Sequence, residues 1–155
     1  VPSATPMVTQ FATLDDWIPA KKKGQIDHIL NFVYGVDFLP LAAGGTADGA
    51  TTIQNDSDFL CLQMSRIVTN AANTTFFAAA PITIEMSDTG SGNIITNAPV
   101  HLDAYFGTAQ LPTVLPVPLY LGAASTLRTR AANLDGATAF NLRIAYIGVK
   151  IFYRG

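Results

Sequence analysis

GAASTLRTRAANLDGATAFNLRIAYIGVKIFY, residues 122–153, decides the fold. Thr126, Leu127, Arg128, Thr129 and Arg130 alternate in polarity, Asn133-Leu134-Asp135-Gly136 makes a turn, and Phe140, Leu142 and Ile144 alternate with Asn141, Arg143 and Ala145. Side chains repeat every second residue only in an extended chain, so this is the pattern of two long strands, each with one buried face. Within the second strand Phe140, Leu142, Ile144 and Tyr146 hold one parity, whereas Ile147, Val149 and Ile151 hold the other, with Gly148 at the change. A shift of one residue beside a glycine is what a β-bulge produces, and the expectation is a bend at Gly148 of the kind sandwich corners require.

Working back toward the N-terminus, the signals remain those of strands. Pro99, Pro112, Pro116 and Pro118 punctuate the path to Leu119, and a residue without an N–H restricts this part to an edge strand or an extended loop. Val100 to Phe106 reads as a short strand or a single helical turn. Ile82, Ile84 and Met86 alternate with Thr83, Glu85 and Ser87 before the glycine turn Asp88–Gly92. Asp58 to Val68 is another strand, with Leu60, Leu62 and Met64 on one face before the phase blurs. Thr51 to Gln54 is a short strand between the turns at Ala43–Gly49 and Asn55–Ser57. Gln25 to Leu41 fits both a helical stripe (Ile26, Ile29, Leu30, Val33) and a strand face (Ile26, His28, Leu30, Phe32, Tyr34, Val36, Phe38). Its β-branched and aromatic content favours the strand. The total is an all-β, jelly-roll-like antiparallel sandwich of about eight strands over residues 25–155.

Residues 1–24 differ. Pro2, Pro6 and Pro19 interrupt regular structure, and Phe11 and Trp17 stand as isolated aromatics among small and hydroxylated neighbours. This is an N-terminal arm whose aromatics need somewhere to bury, either in a neighbour's groove or, for Trp17, back on its own domain.

The chain of 155 residues suits one domain that needs no disulfide or metal to hold it. Charged residues make up only 13%, about half the usual share, which points to a surface partly covered by other protein. A net charge of −2 gives no electrostatic footprint for nucleic acid or an anionic membrane, and Lys21-Lys22-Lys23 reads as a solvated loop. No apolar run is long enough to span a bilayer, and no attached signal peptide is expected. The single Cys61 lies in an apolar strand as a small buried side chain.

Catalytic signatures are missing: the chain has no Gly-x-Ser-x-Gly elbow, no phosphate-binding loop and no His-Glu-x-x-His. His28 and His101 are far apart and lack companions at metal-ligand spacing, so each is expected to be a partly buried or interfacial imidazole. Asp15-Asp16 suit the first turn of a short helix, Asp56 and Asp58 suit capping of turn N–H groups, and Glu85 with Asp88 is the other close carboxylate pair. Two turn carboxylates fall short of the six to eight oxygens calcium takes. Neither catalysis, cofactor nor metal is expected.

Several phrases carry a resemblance: Asn55-Asp56-Ser57-Asp58-Phe59, Ile82-Thr83-Ile84 running into Asp88–Gly92, and Pro99-Val100 followed by Phe106-Gly107-Thr108-Ala109. To these add Pro116-Val117-Pro118, Ser125-Thr126-Leu127 with Asn133-Leu134, and Ile147-Gly148-Val149-Lys150-Ile151-Phe152. Over residues 37–153 the chain resembles the small jelly-roll structural proteins of tailed bacteriophages that decorate or cement the head shell. The resemblance implies a virion protein on the capsid surface, assembled in the host cytoplasm, whose partners are the major capsid protein and further copies of itself in a dimer or trimer. It brings no catalytic residues. Phe11, Trp17, Tyr105, Phe106 and Tyr120 are the expected contact residues, because interface cores are poor in charge and rich in aromatics. Two other readings use the same fold: a neck or tail protein of the same virion, and a carbohydrate- or receptor-binding module in which Trp17, Tyr105 and Tyr120 form a stacking platform. A hydrolase ranks third.

Overall fold

The computed structural model describes residues 14–108 and 110–155. Among the described residues eight strands form two four-stranded antiparallel sheets: β1 (Ile26–Leu41), β2 (Thr46–Thr52), β3 (Asp58–Asn70), β4 (Ile82–Asp88), β5 (Val100–His101), β6 (Thr113–Leu121), β7 (Thr126–Asn133) and β8 (Phe140–Tyr153). Sheet A runs β1-β8-β3-β6 and sheet B runs β2-β7-β4-β5. That order is the jelly roll, in which every connection except β4 to β5 crosses between the two layers.

Inward-facing side chains of both sheets make the main core, among them Phe38, Phe59, Met64, Ile84, Met86, Leu127, Leu142 and Tyr146. Gln25–Leu41 is strand from Ile26 onward, and its burial settles the face: Tyr34, Val36, Phe38 and Leu41 are covered. The turn expected at Ala43–Gly49 is narrower, because β2 begins at Thr46 and pairs with β7 through Thr52. Gly49 belongs to this strand and not to a turn. A Cβ there would meet Val36 at 2.6 Å and Phe38 at 3.0 Å, so the bulky residues of β1 take the space that a side chain would need. Val100–Phe106 combines both expected forms, the short β5 followed by a 3-10 turn at Leu102–Ala104. The proline-bearing β6 is an edge strand, as its missing N–H groups require.

The turn at Asn133–Gly136 joins two long strands as expected, and it carries the chain from β7 in sheet B to β8 in sheet A. Asn133 holds this crossover from within: its Nδ2 donates to the carbonyl of Ala42 at 3.2 Å and of Thr138 at 2.7 Å. The bulge is real but sits on the neighbouring strand. Cys61 pairs with Gly148 and Gln63 with Ile147, which leaves Leu62 as the extra residue in β3. This is why Phe59 and Cys61 share the main core with Met64 while Leu60 and Leu62 join a second cluster. Strand β8 pairs with β1 in unbroken register from Leu142 to Phe152, and its change of parity has another cause: Val149 and Ile151 are buried on the outer face of sheet A by residues N-terminal to β1. Gly148 is required there by the close approach of the β3 backbone, since a Cβ would collide with the carbonyl of Leu60.

Of the two placements open to the arm's Trp17, the structure gives the one on its own domain. Leu14 and Ile18 are buried against Leu60, Val149 and Ile151, with Trp17 packed alongside, so residues 14–24 belong to the folded body. Phe11 lies outside the described residues.

Candidate interaction surface

Residues 14–24 are pinned to sheet A by one buried carboxylate. Asp58, at the start of β3, accepts hydrogen bonds from Lys22 Nζ at 2.7 Å, Tyr120 OH at 2.6 Å, Tyr153 OH at 2.8 Å and the backbone N–H of Ala123 at 2.8 Å. Burial works against its charge, but the donations from Lys22, Tyr120 and Tyr153 outweigh that and hold the carboxyl below its ordinary range. Burial, reinforced by the neighbouring Asp58 charge, pushes both Tyr120 and Tyr153 well above the usual phenol range. Sequence reasoning expected a turn cap and a solvated lysine run. The structure gives one cap bond, to Ala123, and makes Lys22 the partner of Asp58. Asp56 is paired instead with Ser57 and with the buried Lys150, whose ammonium lies 4.4 Å from the Phe32 ring centre.

The outer faces of the two sheets differ in chemistry. On sheet B, Asp48, Arg130 and Glu85 stand in one cross-strand row, beside Arg128. On sheet A the apolar groups dominate, and they are most open along the β6 edge. Phe76 is 71% exposed, Leu111 78%, Val114 65% and Val117 61%, with Ile67 adjoining them. Pairing fixes their order beside β3: Phe76 bridges Thr69, Gly107 bridges Ser65, and Val114 lies opposite Gln63. With the usual areas of such side chains they expose together roughly 500 Å² of apolar surface along this edge, about the size of the largest apolar patch on a typical monomer, which is often functional. Pro116 and Pro118 lack N–H groups, so this edge cannot add a further strand in full register, and side-chain burial is what it offers.

The expected contact residues divide. Tyr105 lines a groove of about 480 Å³ with Leu115, Pro116, Val117 and Pro118, at the β6 edge. Trp17 and Tyr120 are half-buried in the cluster under residues 14–24, away from that groove, so the three aromatics do not form one stacking platform. Phe106 is corrected: it is 1% exposed, in edge-to-face contact with Tyr146, and belongs to the core. A residue at the end of a short turn gives no periodic cue to its burial. Sequence reasoning missed Ile67, Phe76, Leu111, Val114 and Val117. The apolar residues scattered among Pro112, Pro116 and Pro118 were the available signal, since a proline-rich edge strand has one open side.

His28 is exposed, its ring stacked 4.4 Å from that of Phe152, and His101 is exposed as well, so of the two expected settings, partly buried or interfacial, the first does not hold. Asp88 turns inward to Gly90 N–H and Ser91 OH. Among the described residues no group of three or more His, Cys, Asp or Glu converges in a way that could hold a metal ion. No helix of the described residues is long and apolar enough to cross a membrane. No family model matches the chain, and no curated protein matches it in sequence.

Proposed function

We propose that this chain is a virion structural protein of cement type, which binds the lattice of the major capsid protein and stabilises the head shell. The observation that carries the reading is the exposed apolar edge formed by Phe76, Leu111, Val114 and Val117 on a jelly-roll body whose opposite sheet presents the charged row Asp48, Arg130 and Glu85. The resemblance of residues 37–153 to phage head cement proteins supplies the identity of the partner. In this mechanism no bond is made or broken; burial of the edge between capsomers ties neighbouring subunits together.

The energetics favour an oligomer. About 500 Å² buried at roughly 25 cal/mol per Å² yields about 12 kcal/mol before costs, and association costs about 4–15 kcal/mol. A single edge therefore binds weakly. A dimer or trimer that engages several lattice positions converts weak contacts into tight ones through effective concentration.

Sedimentation of purified protein with empty head shells tests the proposal. Saturable binding at a fixed ratio to shell subunits is expected, and the double variant Val114→Asp/Val117→Asp, whose substitutions face solvent, is expected to lose it while keeping its unfolding temperature. Absence of binding, or binding unaffected by the double variant, would overturn it. Binding to an arrayed glycan without binding to shells would transfer the edge to the carbohydrate-binding reading.

A further inference from the structure

The outer face of sheet A is built of rows that run across its strands. One row, Asn31–Val149–Leu60–Tyr120, borders the docked residues 14–24, since Leu60 and Val149 share their cluster with Leu14 and Ile18. The next row is Val33–Ile147–Gln63–Val114, and here nothing among the described residues covers the strands. Between the two rows a groove of about 550 Å³ opens, lined by Asn31, Val33, Leu62, Gln63, Ile147 and Val149. None of these side chains ionises. The nearest charged pair on this face, Asp37 and Arg143, lies two rows further along, beyond the small residues Gly35, Ala145 and Ser65.

We propose that this groove is the docking site of residues 1–13 of the same chain. Three observations converge on that occupant. The groove is continuous with an interface already formed, because Leu62 and Val149 line it and also pack in the cluster that buries Leu14. The sequence VPSATPMVTQFAT has no charged residue and offers Val1, Met7, Val8 and Phe11, which matches an apolar groove without charge. Reach is ample, since Phe11 is within about 10 Å of chain from Leu14 and neighbouring strands are about 4.8 Å apart. Tethering also gives this segment an effective concentration on the order of millimolar, which a separate molecule rarely matches. The proposal does not depend on the virion reading, as it concerns how the chain completes its own outer layer.

Methyl NMR tests it. Deleting residues 1–13 is expected to shift the methyl signals of Val33, Leu62, Ile147 and Val149 while those of Ile82 and Ile84, in the core, stay in place. A nitroxide on Thr9→Cys, introduced while the fully buried Cys61 is spared, is expected to remove most of the intensity of the Val33, Leu62 and Ile147 methyls in dilute samples. Unmoved groove signals after the deletion would overturn the proposal. Broadening seen only when the nitroxide and the isotopes are on different molecules would also overturn it and assign the groove to a second copy.

Discussion

Replacing Asp58 by alanine removes the anchor of residues 14–24, and its cost can be worked from the contacts. The carboxylate is 2% exposed, whereas the Lys22 side chain is 33% exposed. Loss of the carboxylate strands the hydroxyls of Tyr120 and Tyr153 and the N–H of Ala123, while Lys22 turns to water. Breaking a buried pair from one side costs about 3–5 kcal/mol, and each buried donor left unpaired costs about 1–3 kcal/mol. These overlap, and the half-buried phenols regain some water, so about 4 kcal/mol is expected. At about 2–4 °C per kcal/mol for a chain of this size, the unfolding temperature falls by roughly 8–16 °C. Lys22→Ala, whose partner keeps three donors, should cost about 1 kcal/mol or less because the ammonium is partly in water. Urea titration followed by circular dichroism measures both. A loss below about 1 kcal/mol for Asp58→Ala, or equal losses for the two variants, would show that Asp58 does not anchor residues 14–24. The pH dependence adds a signature. The folded pKa of Asp58 lies below its ordinary 3.8, so the stabilisation is complete above that value and disappears as pH falls through the lower folded value. Asp58→Asn should therefore flatten the acid limb of stability against pH.

Gly148→Ala is expected to destabilise by about 2 kcal/mol or more, because the new methyl meets the Leu60 carbonyl within the bulge; urea unfolding at wild-type level would remove the bulge from its place in β3. Cys61 is buried and its thiol is pushed up to about 12, so iodoacetamide at pH 8 should leave the folded protein unmodified and alkylate it fully in urea. Above pH 10 stability should decline steadily, since Tyr120, Tyr146 and Tyr153 all have folded pKa values raised above that of the unfolded chain; a flat alkaline limb would contradict their burial.

Strand existence was legible because alternation is a property of the chain itself, and β4, β7 and the first half of β8 bury the faces that their sequence marks. The position of the bulge was not legible. Apolar residues on both faces of β8 reflect two different covers, the opposite sheet and residues 14–24, and a sequence pattern does not separate a shifted backbone from a second buried face. The Asp58 hub escaped for a related reason. Its donors come from Lys22, Tyr120 and Tyr153, which only the jelly-roll path brings together. The exposed apolar edge was half legible: Tyr105 lies in the groove beside it, but the larger apolar share comes from Phe76, Leu111, Val114 and Val117, whose exposure depends on β6 being the last strand of sheet A.

In the proposed function the apolar β6 edge meets neighbouring shell subunits. Image reconstruction of empty head shells saturated with the protein tests this directly, with a tag on Gly155 to orient the chain. Ordered density at repeated lattice positions, with Val114 and Val117 turned against the shell, is the expected result. Shells free of added density, or a jelly roll attached through the charged face of Asp48, Glu85 and Arg130, would contradict it.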